Sequence, residues 1–241
     1  MKTRIRKFVL IAFMILPATP LWAQSEERTS SRIPLLNEDA PSFNAETTKG
    51  TIEFPGDYGR KWKILFSHPA DFTPVCTSEL IELAKMQQDF KDLNVAIAVV
   101  STNDLSLHKY WVTSIEDILA KTNNPVKINF PLIDDASLNV GWKYGMLTPD
   151  HESFKAVRGV YIIDPKDKIK AIVFYPMEVG RNMEEIKRMV IALQTAEKNS
   201  VLVPANWKPG DDVLLPYPKT ADHYNPSDYP AFYMMYTKLD K

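Results

Sequence analysis

One stretch of the chain, residues 67–79, decides the fold and reads SHPADFTPVCTSE. It contains Cys76, the only cysteine among 241 residues. Two prolines and a threonine closely precede this cysteine, and the helix-forming pattern of residues 78–90 begins just after it. The thiol is therefore placed in the first turn of a helix, where unpaired backbone N–H groups and the helix dipole stabilise an anion. Because the thiolate is the reactive form of cysteine, the stretch predicts a reactive thiol.

The alternative interpretation of Cys76 is a buried structural residue, because a free cysteine packs like a small hydrophobic side chain. An internal disulfide is excluded, since the sequence offers no second cysteine to pair with it. The residues that surround Cys76 favour the reactive thiol over the structural one.

The segments on either side of this stretch predict a parallel β-α-β unit. Residues 62–67 are apolar and β-prone, which indicates a short strand that leads directly into the Cys76 loop. Residues 94–101 contain the continuous apolar run that is typical of a strand covered on both faces. Residues 78–90, between them, carry apolar side chains at helical spacing. This order predicts a right-handed crossover.

The patterns that follow predict further helices on a mixed sheet. Residues 104–120 have the apolar spacing of a second helix. Residues 157–164 and 169–175 flank a four-residue polar turn and are typical of an antiparallel hairpin, and residues 182–198 indicate a closing helix. Together these elements predict an α/β sandwich, with one domain that covers residues 24–198.

Residues 199–241, here called the C-terminal arm, differ from the rest of the chain in composition. They contain six prolines and seven aromatic residues, which excludes a regular helix and disfavours a simple disordered linker. We expect the C-terminal arm to pack on a protein surface. Either it wraps its own domain or it packs on a partner subunit, and the sequence leaves both possibilities open.

The first 23 residues have the layout of a secretory signal peptide. Four basic residues precede an apolar core at residues 8–16, Pro17 ends that core, and Ala23 offers a cleavage site. We therefore expect an exported protein, periplasmic or secreted, without a stable membrane anchor, because the apolar core is too short to span a bilayer. An uncleaved anchor is the alternative, since Leu21 stands where a small residue is usual.

The charge of the chain disfavours some classes of partner. The whole sequence has 29 basic and 30 acidic residues, and residues 1–23 hold four of the basic ones and none of the acidic ones. The mature chain then has 25 basic and 30 acidic residues, a net charge of −5. Such a chain has no overall basic bias towards nucleic acid or anionic lipid, so no nucleic-acid partner is expected.

The pattern Pro69-x-x-x-Thr73-x-x-Cys76 resembles the active-site motif of the peroxiredoxins, and residues 66–79 resemble their 1-Cys subgroup. The resemblance covers roughly residues 33–220 and continues in three further blocks, at residues 158–165, 180–186 and 204–211. It implies a thioredoxin-like fold with a C-terminal dimerisation extension.

The resemblance implies a thiol-dependent peroxidase that reduces hydrogen peroxide and organic hydroperoxides. A Cys76 thiolate attacks one peroxide oxygen, and fixed donors must stabilise the charge on the departing oxygen. Backbone N–H groups and the Thr73 hydroxyl are suited to this, and the resemblance adds the guanidinium of Arg158, which offers several donors and stays charged. Pro69 cannot donate a hydrogen bond, which favours a dry, rigid wall beside the sulfur.

Three further residues are expected at the site. The resemblance implies that Glu79 supports the arginines, although at its position it could simply favour the helix N-terminus. Arg181 is either a second guanidinium near the site or a surface charge at a helix start. His68 is a candidate base near the cysteine, because imidazole titrates in the useful range. Neither a metal nor another cofactor is expected, since no paired ligand spacing is shown by the other histidines, His108, His151 and His223.

The single cysteine also determines the catalytic cycle. Attack on peroxide leaves Cys76 as a sulfenic acid, which no second cysteine in the chain can resolve as an internal disulfide. An external thiol must therefore reduce the enzyme through a mixed disulfide. The sequence does not name this donor, and export disfavours a cytosolic one.

A binding module is the alternative function. A thioredoxin-fold holdase would use the aromatic C-terminal arm to hold unfolded partners, without peroxide turnover and independently of Cys76. A thioredoxin-type reductase is disfavoured because the sequence has no Cys-x-x-Cys pair. The phospholipase activity credited to some relatives is not expected, since Lys61 stands at the serine position that it uses.

The resemblance also bears on assembly. In the 1-Cys subgroup the C-terminal arm crosses onto the neighbouring subunit of a two-fold dimer. We therefore expect a homodimer, or a ring of dimers, in which the exchange of arms buries Trp207 and the aromatic residues at positions 229–236.

Overall fold

A seven-stranded mixed sheet forms the centre of the computed structural model, which describes residues 32–123, 125–150, 153–216, 227 and 231–239. The strand order is β2-β1-β5-β4-β3-β8-β9. The bounds are β1 Phe43–Thr47, β2 Gly50–Phe54, β3 Trp62–Ser67, β4 Val95–Ser101, β5 Leu132–Asp134, β8 Arg158–Ile163 and β9 Ile169–Tyr175. Strand β3 pairs with β4 in parallel and with β8 in antiparallel orientation, so the predicted mixed sheet is confirmed.

Helices cover both faces of this sheet. Side chains of β3 alternate between the two faces, so that Ile64 and Phe66 belong to one apolar cluster and Leu65 to the other. Among the described residues, three α-helices pack on the first face and one short α-helix on the second, which gives the α/β sandwich that the sequence predicts. Their bounds are α1 Pro74–Asp92, α2 Leu105–Leu119 and α4 Met183–Asn199 on the first face, and α3 Asn139–Lys143 on the second.

Helix α1 begins at Pro74, four residues before the predicted start at Ser78. Thr73 precedes it with extended backbone angles, and proline is suited to the first helical position because its missing N–H would have no partner there. Cys76 is consequently the third residue of the helix. The predicted position of the thiol in the first helical turn is therefore confirmed.

The other predicted helices, α2 and α4, have their N-termini fixed by side-chain caps. Asp104 accepts a hydrogen bond from the backbone N–H of Leu107 at 2.9 Å and starts α2, while Asn182 accepts one from Glu185 at 3.1 Å and starts α4. The sequence missed the short or edge elements: β1, β2, β5, α3 and the hairpin of β6 Leu147–Asp150 with β7 Ser153–Ala156.

The first part of the C-terminal arm packs on its own domain. Trp207 is 3% exposed and lies with Val201 and Val213 in a small cluster against α4. The chain returns at residues 231–239, where β11 Tyr236–Thr237 pairs with β10 Val213–Leu214. An exchange of arms is therefore not required to bury Trp207. The predicted domain boundary between residues 198 and 199 stays a prediction.

The described residues lie within one compact unit, Ser31–Lys241. The predicted signal peptide at residues 1–23 lies outside the described residues, as do Tyr217, Tyr224 and Tyr229 of the C-terminal arm. Among the described helices, none is both long and apolar enough to cross a membrane.

Candidate active site

Cys76 meets a guanidinium at the end of the central strands. The loop after β3 leads into the first turn of α1, and Arg158 is the first residue of β8, the neighbour of β3 in the sheet. Arg158 Nη1 lies 3.3 Å from Cys76 Sγ, and both side chains are buried, with the cysteine 2% exposed. The predicted proximity of these two residues, which are 82 positions apart, is thus present in the structure.

Glu79 joins the two arginines of the site. It lies one helical turn after Cys76, on the same side of α1. Its carboxylate accepts hydrogen bonds from Arg158 Nη1 at 2.8 Å, from Arg181 Nη2 at 2.7 Å and from Arg181 Nε at 2.9 Å. It also accepts one from the backbone N–H of Arg181 at 2.7 Å. The alternative that Glu79 only favours the helix N-terminus is therefore wrong.

Backbone carbonyls hold both guanidinium groups in fixed orientations. The carbonyl oxygen of Met177 accepts from Arg158 Nε at 2.9 Å and from Nη2 at 2.7 Å. Arg181 Nη1 donates to the carbonyls of Ser67 at 2.7 Å and Gly159 at 2.8 Å, and its guanidinium lies 3.4 Å above the Phe66 ring. Arg181 is buried, so the alternative of a surface charge is wrong.

The cluster carries an unbalanced positive charge beside the thiol. Burial alone would raise the pKa of Glu79, but its hydrogen bonds and charge contacts with Arg181 and Arg158 outweigh burial and hold that pKa below its usual value. One carboxylate thus faces two guanidinium groups. A negative charge on Cys76 would bring the net charge of the cluster to zero.

Thr73 and Pro69 precede Cys76 in the segment that joins β3 to α1. Thr73 is half-buried, and its hydroxyl donates to the carbonyl of Ala70 at 2.9 Å. With its proton so engaged, the hydroxyl presents its lone pairs, so in this structure it is an acceptor rather than the donor that the sequence predicts. Pro69 is buried, as a dry wall requires.

His68 is buried near the site, but its polar contact in the described chain is not with Cys76. Its Nε2 lies 2.8 Å from Asp71 Oδ1, and its ring packs at 5.1 Å from that of Trp111. Burial lowers the pKa of His68, and the hydrogen bond with Asp71 opposes this only in part. His68 is therefore neutral near pH 7.

Three residues with contacts to the site were missed by the sequence analysis. Met177 contributes only a backbone carbonyl, which no side-chain pattern reveals. Asp71 lies within residues 67–79, but one of its two histidine partners, His108, lies 37 positions further along the chain. His108 has a signal in the sequence, because it precedes the buried Trp111 and Ile115 by three and seven residues and so lies on the apolar face of α2.

Comparison with known proteins identifies the family. The AhpC/TSA family model matches residues 36–172, more than half of the chain. The chain belongs to the peroxiredoxin family. The model of the C-terminal domain of 1-Cys peroxiredoxin matches residues 192–224 of this peroxiredoxin. The function implied by the sequence is confirmed: the protein is a thiol-dependent peroxidase with one cysteine, which an external thiol regenerates.

Individual relatives agree with this assignment. A peroxiredoxin of Methanosarcina mazei is 48% identical over 191 residues, which cover 79% of this chain and 87% of the relative. A mitochondrial peroxiredoxin of Saccharomyces cerevisiae is 44% identical over 187 residues, which cover 75% of this chain and 70% of the relative. These relatives favour the peroxidase over the holdase hypothesis.

Solved structures confirm the predicted thioredoxin-like fold. The yeast mitochondrial 1-Cys peroxiredoxin, studied for its thiol resolving mechanism via glutathione and thioredoxin systems, matches with a TM-score of 0.77 and 40% identity. The match covers 86% of this chain and all of the other. A mutant of peroxiredoxin 6 from Arenicola marina matches with a TM-score of 0.76 and 31% identity over 86% of this chain and 99% of the other.

Proposed function

We propose that Cys76 is the nucleophile of this peroxidase and that Arg158 stabilises its thiolate. The observation that carries the proposal is the 3.3 Å contact between Arg158 Nη1 and Cys76 Sγ. The thiolate attacks one oxygen of the peroxide, the O–O bond breaks, and the other oxygen departs as R–O⁻ and takes up a proton. Cys76 becomes a sulfenic acid.

Arg158, Thr73 and Pro69 orient the peroxide. Within the described chain, four of the five N–H groups of Arg158 have acceptors, which leaves one Nη2–H for a peroxide oxygen. The lone pairs of Thr73 accept the O–H of the peroxide, and Pro69 keeps water from the sulfur. Donor and acceptor together fix one orientation of the substrate, which suits hydrogen peroxide and small organic hydroperoxides.

Glu79, Arg181 and His68 complete the site in supporting roles. Glu79 and Arg181 hold the guanidinium of Arg158 against the sulfur through the shared carboxylate. His68 supplies an uncharged base in the buried region of the site. None of these roles requires a cofactor, because both electrons come from the external thiol.

The external donor is a thiol of the glutathione or thioredoxin class. The support is the single cysteine together with the yeast relative, whose structure concerns resolution via glutathione and thioredoxin systems. The thiol attacks the sulfenic sulfur, the S–O bond breaks and water leaves, which produces a mixed disulfide. A second thiol then releases Cys76. Because Cys76 is 2% exposed, a small thiol has easier access to it than a protein thiol.

Replacing Cys76 with serine should reduce peroxide consumption to the rate of the thiol alone. The assay supplies hydrogen peroxide with either glutathione or thioredoxin as the donor. Lys85→Ala, an exposed change on the same helix, is the matched control and should leave turnover unchanged. Full thiol-dependent turnover by the Cys76→Ser protein would exclude the proposed nucleophile.

The C-terminal arm supports a proposal of a homodimer, with a ring of dimers as the larger form. Tyr233 and Tyr236 are 66% and 40% exposed, and exposed aromatic side chains of this size commonly mark an interface. We propose that a second copy of this chain covers these tyrosines, because the C-terminal arm of the 1-Cys subgroup packs on a neighbouring subunit.

Tyr233→Ser combined with Tyr236→Ser should weaken the dimer measured by sedimentation. This change is preferable to truncation after Lys198, which would also uncover the face of α4 that packs on Trp207. Leu36→Ser, an exposed leucine elsewhere, should leave assembly intact. An unchanged dimer in the double variant would exclude this surface as the interface.

Export to the periplasm or beyond is proposed from the composition of residues 1–23. Mature protein should begin near Gln24 in an extracytoplasmic fraction. N-terminal sequencing that finds Met1 on soluble cytosolic protein would refute export.

A further inference from the structure

Asp71 bridges two buried histidines from separate elements. Its Oδ1 lies 2.8 Å from Nε2 of His68, the residue just after β3, and its Oδ2 lies 2.7 Å from Nδ1 of His108 on α2. All three side chains are buried. The backbone N–H of Asp71 donates to Asn103 Oδ1 at 2.8 Å, which fixes the carboxylate between the two rings. Charged groups buried in this way are costly unless each has a partner.

His108 is held between the carboxylate of Asp71 and the carbonyl oxygen of Ile133. Its Nε2 lies 3.0 Å from the carbonyl oxygen of Ile133, which can only accept. Its Nδ1 faces Asp71, whose pKa is held below its usual value because hydrogen bonds from His108 and His68 outweigh the opposing effect of burial. Asp71 and His108 form a buried hydrogen-bonded pair.

The hydrogen bond between His68 and Asp71 leaves the other ring nitrogen of His68 without a proton. Nε2 must donate to the carboxylate of Asp71, and the neutral ring then has a bare Nδ1. This Nδ1 is buried, and no other part of the described chain offers it a hydrogen bond. The titratable and charged groups that act on the ring are Asp71 from its own loop, His108 from α2 and Arg181 from the segment before α4.

His68 shares the environment of Cys76. The positive charge of Arg181 acts on both side chains, and Arg181 also binds the carbonyl of Ser67, the residue before His68. Trp111 packs on the His68 ring and donates from Nε1 to the hydroxyl of Thr77, the residue after Cys76. A bare acceptor thus lies in the buried region that contains the reactive sulfur.

We propose that Asp71 and His108 are positioning residues for the resolution step, because they hold His68 with its proton on Nε2 and its Nδ1 ready to accept a proton. This inference rests on the proposed role of Cys76. The incoming thiol R–SH gives its proton to Nδ1, R–S⁻ attacks the sulfenic sulfur and the S–O bond breaks. The proton then leaves with the hydroxide as water, so that the step is balanced.

The carboxylate of Asp71 has a defined part in this step. While Nδ1 holds the proton of the thiol, His68 is a cation, and the adjacent carboxylate stabilises it. Reaction of Cys76 with peroxide starts from the thiolate and needs no such acceptor. The proposal therefore predicts that changes at Asp71 and His108 slow resolution far more than oxidation.

The first measurement determines the tautomer of His68 by NMR of protein labelled with ¹⁵N-histidine. Single substitutions assign the signals of the four histidines. The expected result is a proton on Nε2 and none on Nδ1, in the unmodified protein and in Cys76→Ser alike. A proton on Nδ1 of His68 overturns the proposal without the need for any variant at Asp71. Because the tautomer is measured without any turnover, this result is independent of whether Cys76 is the nucleophile.

The second measurement separates the two half-reactions by rapid mixing. Asp71→Asn should move the proton of His68 to Nδ1 and slow resolution by glutathione about 10²-fold or more, while oxidation by peroxide stays within about tenfold. His108→Asn keeps an N–H donor near the position of Nδ1, so its resolution should be faster than that of His108→Leu. Lys109→Asn, an exposed neighbour on α2, is the control and should match the unmodified protein.

Several results contradict the proposal. Resolution at the normal rate in Asp71→Asn would exclude Asp71 as a positioning residue. An equal loss of oxidation and resolution, with the tautomer of His68 unchanged, would indicate a role in structure alone. If Asp71→Asn does not fold, equal resolution rates in His108→Asn and His108→Leu overturn the proposal.

Discussion

Replacing Arg158 with lysine should slow the reaction of Cys76 with hydrogen peroxide by about 10²–10³-fold, the cost of removing one preorganised donor from a developing charge. Arg158 Nη1 donates to both Cys76 and Glu79, while its other nitrogens bind the carbonyl of Met177. A lysine ammonium is a single point on a flexible stem and cannot hold all three acceptors in one geometry. The positive charge would remain, but the orientation would be lost.

The rate is measured by rapid mixing of the reduced protein with peroxide. The matched control is Arg188→Lys, which changes a half-exposed arginine on α4 that pairs with Glu185. The control should retain the rate of the unmodified protein. If Arg158→Lys also retained it, charge alone would suffice at this position and the proposed orientation of the peroxide by the guanidinium would be wrong.

Replacing Glu79 with glutamine should lower the free energy of unfolding by about 3–5 kcal/mol, as expected when one member of a buried ion pair loses its charge. The carboxylate accepts four hydrogen bonds from the two arginines. A glutamine amide would point N–H donors at guanidinium donors and leave two buried positive charges without a counter-charge. The orientation of Arg158 should suffer as well, so activity should fall together with stability.

Urea unfolding of the reduced protein measures this loss. Glu82→Gln is the control, because Glu82 lies on the same helix, is exposed and pairs with the exposed Lys85. Its expected effect is within about 1 kcal/mol. A Glu79→Gln protein as stable as the Glu82→Gln control would show that the buried carboxylate does not hold the arginines in place.

The central elements were predictable because their patterns are local. Residues 62–67 coincide with β3, and the predicted hairpin and closing helix agree with β8, β9 and α4 to within a residue or two. The start of α1 was predicted four residues late, although Pro74 at the first helical position was visible as a start signal. Short strands such as β5, with three residues, depend on their neighbours in the sheet rather than on their own pattern.

The contacts of the active site were not predictable from spacing. Glu79 lies 79 positions from Arg158 and 102 from Arg181, and only the folded sheet brings these side chains together. The resemblance to a known family supplied both arginines. It did not supply the link from Asp71 to His108. This contact forms only because α2 packs on the loop after β3.

The most direct test of the account is to trap the product of a single turnover on the cysteine. The reduced protein receives one equivalent of hydrogen peroxide without any thiol, together with a nucleophile selective for sulfenic acids, and its peptides are examined by mass spectrometry. The account predicts one adduct per chain, on Cys76, and none in the Cys76→Ser protein. Consumption of the peroxide by the unmodified protein without an adduct on Cys76, or equal consumption by Cys76→Ser, would contradict it.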